Sequence, residues 1–185
     1  PYVCSTAAIA LSWKIMYNYE YGIFNAVLND LGLKAVGWIT KAADGGNAAA
    51  QYALGKLYRD GVYVQQNVGK AVELFTLSAE QKSEYAAYQL GRLYLEGIPK
   101  EVDAAIKWLS LSADLGNQYA QYALGSLYLS GEDTPQDILK AVAMFKLAAN
   151  QKNEYAQYRL GRLYLVGEHL QKDVETAVCW LAASA

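Results

Sequence analysis

The residue types on which most enzymes and metal sites depend are scarce in this sequence. One histidine and two cysteines occur in 185 residues, so the side chains that most often supply acid–base, nucleophilic or zinc chemistry are nearly absent. We therefore expect no catalytic residue, no metal site and no cofactor. Cys4 and Cys179 stand near opposite ends of the chain. So few thiols favour a reducing compartment, which predicts a cytoplasmic location.

Excess charge of either sign and long apolar runs are also lacking. Sixteen basic and eighteen acidic residues give a net charge of −2, which argues against a surface built to neutralise nucleic-acid phosphates or anionic lipid. The most apolar stretch, residues 7–16, is interrupted by Ser12 and Lys14. It is shorter than the ~18 apolar residues that a membrane span needs, so we expect no membrane partner. A hydrophobic content of 54% nevertheless predicts a folded chain.

Tyrosine is abundant, with 16 copies, and much of it belongs to an internal repeat. Four similar segments recur at spacings of 36, 34 and 36 residues, at positions 52–61, 88–97, 122–131 and 158–167. A second set of similar segments begins at Ala35, Ala71, Ala105, Ala141 and Ala177. Each repeating unit is therefore predicted to be helix, loop, helix.

The ends of these helices are marked by residues that complete the backbone hydrogen bonds there. Side chains that act as N-caps precede each predicted first helix, at Asn47, Ser83, Asn117 and Asn153. Asn67, Asp137 and Asp173 precede the second helices, with Glu101 as the substitute in the remaining unit. Glycines stand where the first helix must stop, and we expect the left-handed conformation of a C-cap at Gly61, Gly97, Gly131 and Gly167.

The motif A-x-Y-x-L-G-x-L-Y-x-x-G, followed by A-[VI]-x-x-[FWIL]-x-x-x-A, resembles the Sel1-like repeat, a relative of the tetratricopeptide repeat. The resemblance covers residues 31–185 and implies an all-α fold, a right-handed α/α solenoid (superhelix) of about four and a half Sel1-like helix-loop-helix repeats. Residues 1–30 do not follow the motif, and we expect an atypical N-terminal helical cap or linker there. Because Ala185 aligns with Ala149, we expect the sequence to end inside a repeat.

Two nearly opposite faces are expected on each first helix. Ala86, Leu90, Leu93 and Tyr94 exemplify the face that hardly varies among repeats, as a stacked core demands. The opposite face carries Leu95, Ser126 and Leu129 together with the candidate partner-binding residues, which are Tyr52, Lys56, Tyr85, Tyr88, Arg92, Tyr119, Tyr122, Tyr155, Tyr158 and Arg162. Glycines within the helices predict close approach of a neighbouring helix, at Gly55, Gly91, Gly125 and Gly161. A recurring second-helix position is predicted to be core, at Trp38, Trp108 and Trp180.

The resemblance implies that this opposite face lines a concave groove and that the chain has no catalysis of its own. We expect a scaffold that binds a protein or peptide partner, with tyrosine rings as contact area and Arg or Lys meeting carboxylates. One alternative is an accessory module of a larger DNA-processing, relaxase-like protein of a bacterial mobile element. The same rings and cations would then contact single-stranded nucleic acid. A further alternative is an enzyme, but neither G-x-G-x-x-G nor G-x-x-x-x-G-K-[ST] occurs.

Overall fold

The structure, a computed structural model, describes residues 36–97, 99–167 and 170–184. Residues 1–30, which include Cys4, and the single histidine, His169, lie outside these ranges. The structure therefore does not test the expectations about them. The described residues contain nine helical segments and no strand. A helical segment over residues 36–44 is followed by α1 (Ala48–Asp60), α2 (Val68–Glu80), α3 (Glu84–Glu96), α4 (Val102–Asp114), α5 (Gln118–Ser130), α6 (Ile138–Asn150), α7 (Glu154–Val166) and α8 (Val174–Ala183).

The chain divides into two compact units, Pro1–Ala71 and Val72–Ala185. The described part of the first unit contains helical residues 36–44, α1 and the first turn of α2. In the second unit each helix from α3 to α8 packs on the next helix along the chain. This antiparallel stacking of successive helices is the helix-loop-helix arrangement that the repeat predicts.

The predicted N-caps are confirmed with one exception. The Asn117 side chain accepts hydrogen bonds from the backbone N–H groups of Tyr119 and Ala120, both at 3.0 Å. The same kind of bond is made by Asn47, Asn67, Ser83, Asp137, Asn153 and Asp173. Glu101 makes no side-chain capping bond, so that prediction was wrong. Its longer side chain stands after a loop that is two residues shorter than the others.

The short loop also changes the end of α3. Gly61, Gly131 and Gly167 adopt the predicted left-handed conformation, with φ between 68° and 71°. Gly97 instead has φ −66° and ψ 159°, which is extended backbone, and corrects the prediction of a left-handed cap there. Reaching α4 in five residues requires the chain to extend directly from the helix end.

In the second unit the core lies where the first and second helices of a repeat meet. Leu90, Leu109 and Phe145 are fully buried there. A Cβ atom added at Gly91 would lie 2.5 Å from Leu109 Cγ, and one at Gly125 would lie 2.7 Å from Phe145 Cε1. The predicted close approach at these helix glycines is thus confirmed, and only a residue without a side chain fits there.

The tryptophan position of the second helices is core only in part: Trp180 packs against the core cluster that contains Phe145, whereas Trp38 corrects the sequence prediction. Trp38 is 72% exposed, and Trp108 and Trp180 are half-buried. The fully buried position is the next one along the helix, occupied by Leu109 in α4 and Phe145 in α6. One residue corresponds to a 100° rotation about the helix axis, which moves the tryptophan to the edge of the core.

Buried glutamines form a feature that the sequence did not reveal. Gln51, Gln121 and Gln157 precede the recurring tyrosine and are each at most 6% exposed. Each Nε2 donates to a carbonyl at the end of the preceding helix, from Gln121 to Ala113 O at 3.1 Å for example. These bonds satisfy helix-terminal carbonyls that would otherwise be buried without a donor.

Candidate partner-binding groove

A groove of about 660 Å³ opens in the second unit between α3 and α5, with one side chain contributed by α7. The surface of the groove is mainly apolar. The polar groups at its edge are two guanidinium groups, one carboxylate, tyrosine hydroxyls and two serine hydroxyls. The lining residues are Tyr88, Arg92, Leu95, Glu96, Tyr119, Tyr122, Ala123, Ser126, Leu127, Leu129, Ser130 and Arg159.

Tyrosine pairs connect the first helices of successive repeats. The Tyr88 and Tyr119 ring centroids are 6.0 Å apart with an interplanar angle of 37°. The Tyr122 and Tyr155 centroids are also 6.0 Å apart, at 48°. In both pairs the repeat tyrosine of one unit contacts the extra tyrosine near the start of the next first helix. Spacings in this range are typical of favourable tilted aromatic contacts.

The two members of each pair differ in burial. Tyr88 and Tyr122 are half-buried. The Tyr122 ring also contacts the ring of Phe145 in the core, with centroids 5.7 Å apart. Tyr119 and Tyr155 are 49% and 68% exposed. Tyr88 and Tyr122 therefore both support the helix packing and line the groove, whereas Tyr119 presents half of its surface to an incoming molecule.

The groove contains one engaged cation and one open cation. Arg92 Nε donates to Glu96 Oε1 at 3.0 Å, and its Nη2 donates to the same oxygen. This hydrogen bond to Glu96 is the main reason that the pKa of Arg92 is raised above its ordinary value. Arg159 is exposed and has no hydrogen bond or ion pair with any residue that the structure describes.

Ser126 places an unsatisfied hydroxyl in the groove wall. Its Oγ is excluded from solvent and has no hydrogen-bond partner among the described residues. A buried hydroxyl without a partner is destabilising, by about 1–3 kcal/mol in typical cases.

A smaller cavity of about 400 Å³ in the first unit contains two further predicted residues, Tyr52 and Lys56. The Lys56 Nζ atom lies 5.8 Å from the centroid of the Tyr52 ring, a cation–π distance. Asp60 in the same wall is held by Arg59 at 2.7 Å, and this hydrogen bond lowers the pKa of Asp60. The cation and the carboxylate of this cavity are thus both engaged within their own unit.

The structure brings together four of the ten predicted residues, Tyr88, Arg92, Tyr119 and Tyr122, in the larger groove. Those outside it, besides the first-unit pair, are Tyr85, Tyr155, Tyr158 and Arg162. Arg162 instead lies over the Tyr158 ring, 5.9 Å from its centroid. A role for these four residues in binding through another surface stays a prediction, and we expect none of them to contribute to binding in this groove.

Arg159 and Glu96 line the groove but are absent from the predicted set. Arg159 directly follows the repeat tyrosine and reaches from α7 into the groove between α3 and α5. The equivalent position in α5, Ala123, also lines the groove. Comparing the residue after each repeat tyrosine would have singled out Arg159, since Ala53, Gln89 and Ala123 are uncharged.

The described residues contain neither a candidate metal site nor a candidate membrane span. No group of three or more His, Cys, Asp or Glu side chains that could hold a metal ion occurs in residues 36–97, 99–167 and 170–184. Within the same ranges no helix combines the length and the apolar character needed to cross a membrane. Cys179, on α8, is an exposed free thiol.

A family model for the Sel1 repeat matches almost the whole chain, over residues 5–47, 48–83, 84–117, 118–153 and 154–185. The chain belongs to the Sel1 repeat family. The Sel1 resemblance and the all-α repeat superhelix predicted from the sequence are thereby confirmed. The first match overlaps residues 1–30, for which a helical cap or linker stays a prediction.

Two solved Sel1-type structures resemble this Sel1 repeat protein closely. The Sel1 repeat protein from Oxalobacter formigenes is 38% identical, with a TM-score of 0.75 over 82% of this chain and 44% of that chain. The protein c5321, a protective antigen of uropathogenic Escherichia coli with an SLR fold, is 29% identical, with a TM-score of 0.76 over 82% and 33%. This chain therefore spans less than half the length of either structure.

A short match to a curated protein adds no functional information. Thirty-nine residues are 44% identical to the trehalose/maltose transport system permease protein MalF of Thermococcus litoralis, which covers 21% of this chain and 13% of that protein. Sel1 repeat proteins, by contrast, form a non-catalytic scaffold family whose members generally mediate protein–protein interaction.

Proposed function

We propose that this Sel1 repeat protein is a protein-binding scaffold and that the groove between α3, α5 and α7 takes a peptide segment of its partner. The observation that carries the proposal is the apolar groove bordered by half-exposed Tyr119 and by Arg159. Aromatic and Arg side chains around a concave apolar surface are the groups that contribute most to protein–protein affinity. The volume lies within the range of about 300–1,000 Å³ that is typical of ligand sites.

The groove differs from an ordinary gap between helices in its wall chemistry. Leu95, Leu129 and Ala123 supply apolar surface, and the tyrosine rings extend this surface without many rotatable bonds. Rigid aromatic side chains lose little conformational entropy when a partner binds. A partner side chain that enters the groove is therefore expected to gain apolar contact at small entropic cost.

The proposed location is the cytoplasm. The support for it is the low cysteine content of the whole sequence, which fits a reducing compartment. Reaction of Cys179 with a thiol-specific label in separated cell fractions would test this location. The exposed thiol can be reached by the label, which reacts only while the thiol is reduced.

The experiment is a selection of random peptides, displayed on phage, against the full chain, followed by fluorescence anisotropy with each selected peptide. Tyr119→Ala should weaken binding by about 2 kcal/mol, or thirtyfold, if Tyr119 is an anchor of the site. Ser126→Phe should block binding by filling the groove. Circular dichroism of each variant checks that the helices are retained.

Tyr85→Ala is the matched control. Tyr85 occupies the same repeat position as Tyr119 and is 52% exposed against 49%, but it does not line the groove. We expect its binding to equal that of the unaltered chain. Equal affinities for the Tyr119→Ala and Tyr85→Ala chains would overturn the proposal.

The nucleic-acid alternative is an outcome of the same design. A labelled oligothymidylate that binds the unaltered chain, loses affinity steeply with salt and is released by Tyr119→Ala would assign the groove to single-stranded nucleic acid. The peptide proposal requires that this probe fail to bind at physiological salt.

A further inference from the structure

We infer that the peptide segment in this groove is acidic, with one carboxylate bound by Arg159 next to an apolar side chain that fills the groove. This inference rests on the proposed function and specifies the chemistry of the partner. A second part concerns selectivity, because Glu96 keeps Arg92 engaged and so leaves a single guanidinium for the partner.

The first support is the charge of the groove wall. Two guanidinium groups and one carboxylate line the groove, which leaves one uncompensated positive charge. The Nε and Nη2 atoms of Arg92 both donate to the carboxylate of Glu96, one turn further along α3. The remaining positive charge therefore resides on Arg159.

The second support is the state of Arg159. It is exposed on α7 and makes no hydrogen bond or ion pair with the described residues. Arg162, on the same helix, lies over the Tyr158 ring and is not part of the groove. A guanidinium that offers five N–H donors at the edge of apolar surface is suited to a carboxylate, which it can bind in a bidentate manner.

The third support comes from the surroundings of the two arginines. A site for nucleic acid needs several cations along a path, because each phosphate that is bound requires its own charge. This groove offers one open cation and a carboxylate, Glu96, that repels a second anion. A peptide with a single acidic residue beside a hydrophobic one matches that arrangement, whereas a polyphosphate backbone does not.

The experiment uses peptides from the phage selection that depend on Tyr119. Each acidic peptide is synthesised in two forms, with Glu or with Gln at its acidic position, and its affinity is measured for the unaltered chain and for Arg159→Gln. We expect Arg159→Gln to weaken binding of the Glu form about tenfold and to leave the Gln form unchanged. Arg162→Gln is the control and should change neither affinity.

Glu96→Gln tests the second part. Removing this negative charge leaves the charge of Arg92 uncompensated, so peptides with two acidic residues should bind more tightly, by about threefold or more. The proposal requires that Arg92→Gln remove this gain when it is combined with Glu96→Gln.

The two levels of the proposal fail in different ways. If Tyr119-dependent peptides carry no carboxylate, or if Arg159→Gln and Arg162→Gln behave alike, the acidic partner is wrong while the groove stands. If no selected peptide depends on Tyr119, the proposed groove itself is overturned, and this inference with it.

Discussion

The α3–α4 and α5–α6 repeats of the second unit share one architecture but hold their connections in different ways. After α5, Gly131 is left-handed and its N–H donates to Leu127 O, and Asp137 caps α6 through its side chain. After α3, Gly97 is extended and Glu101 makes no side-chain cap. In both loops a backbone N–H nevertheless donates to the carbonyl of the second tyrosine of the motif, from Glu101 to Tyr94 O at 3.0 Å and from Asp137 to Tyr128 O at 2.9 Å.

The difference shows which contacts the repeat requires and which it merely uses. The backbone bond to the second tyrosine of the motif is present in both loops, so it defines the path of the chain. A side-chain cap is present in the loop after α5 and absent from the loop after α3. Such caps therefore change the stability of the fold without determining the path of the loop. Core contacts belong to the first group, and we expect their loss to cost the same in both repeats.

The largest effect is expected from the core leucines. Leu90 in α3 and Leu124 in α5 are 0% and 3% exposed, so replacing either by Ala should reduce the free energy of unfolding by about 2–5 kcal/mol. Urea unfolding followed by circular dichroism measures both. Leu139→Ala is the control, because Leu139 is 79% exposed and its loss should cost less than about 0.5 kcal/mol.

A large inequality between the two core leucines would break the comparison. If Leu90→Ala were several-fold more damaging than Leu124→Ala, the α3–α4 repeat would depend on its core to compensate for its uncapped loop. The α5–α6 repeat, with Asp137 and Gly131 in place, would not share that dependence.

The helix glycines should give the next largest effect. Gly→Ala in a helix gains about 1 kcal/mol of helix propensity, but overpacking typically costs about 1–3 kcal/mol. At Gly91 the new Cβ would meet Leu109 Cγ at 2.5 Å and the Ala105 carbonyl oxygen at 3.2 Å. At Gly125 its nearest neighbours are ring atoms of Phe145, from 2.7 Å.

We therefore expect both substitutions to destabilise the fold, and Gly91→Ala more so, because a backbone carbonyl yields less readily than a ring. Gly37→Ala is the control, since Gly37 is helical and has no atom within 4 Å of the added Cβ. It should stabilise the protein. A rise in melting temperature for Gly91→Ala would contradict the close approach of α4.

Much of this comparison could be predicted from the sequence, because it depends on local chemistry. An Asn, Ser or Asp directly before a segment with helical spacing of apolar residues predicts an N-cap. The prediction is correct where the loop has its usual length, as at Asn117 and Asp137. The repeat spacing likewise places Gly91 and Gly125 against a neighbouring helix. The two-residue deletion after Gly97 was visible, but the extended conformation that results from it depends on where α4 lies.

The groove was less predictable than the fold for a related reason. A helical projection sorts residues around one helix, whereas the groove is formed by α3, α5 and α7 together. The contact of Tyr88 with Tyr119 joins two successive first helices, so it depends on how α3 and α5 are placed and not on one helix alone. Among the described residues of α7, Arg159 lines the groove and Arg162 does not, which the projection of one helix does not predict.

A smaller effect is expected at the caps. Asp137→Ala should lower the melting temperature by a few degrees, because the N–H of Lys140 loses its acceptor, whereas Glu101→Ala should change it little. The backbone N–H of Lys140 is also the main reason that the pKa of Asp137 lies below its ordinary value of 3.8. Because the pKa is lowered in the folded protein, the ionised Asp137 carboxylate contributes fully to the free energy of unfolding above about pH 4, the ordinary pKa. This contribution is lost as the pH falls through the lowered pKa.

The control for the cap is Asp137→Asn, which retains an oxygen acceptor but does not titrate. We expect Asp137→Asn to keep most of the stability at neutral pH and to reduce the loss of stability on acidification below pH 4. Melting curves between neutral and acidic pH measure this. An unchanged acid dependence would show that other carboxylates, such as Asp173, dominate it.

The smallest expected effect lies in the turns that lead into α3 and α5. Lys82 and Gly116 occupy equivalent turns with positive φ, 65° and 102°, and both donate their N–H to a carbonyl of the preceding helix at 2.9 and 3.0 Å. A left-handed conformation costs a residue with a Cβ about 1–2 kcal/mol, and glycine loses part of this advantage through its freedom in the unfolded chain. Lys82→Gly should therefore stabilise the protein by about 0.5–1 kcal/mol, and Gly116→Ala should destabilise it by at least as much. Lys82→Ala separates the backbone from the side chain, because it retains the Cβ and should give no gain; if it stabilises the fold as much as Lys82→Gly does, the lysine charge and not the backbone conformation is the cause.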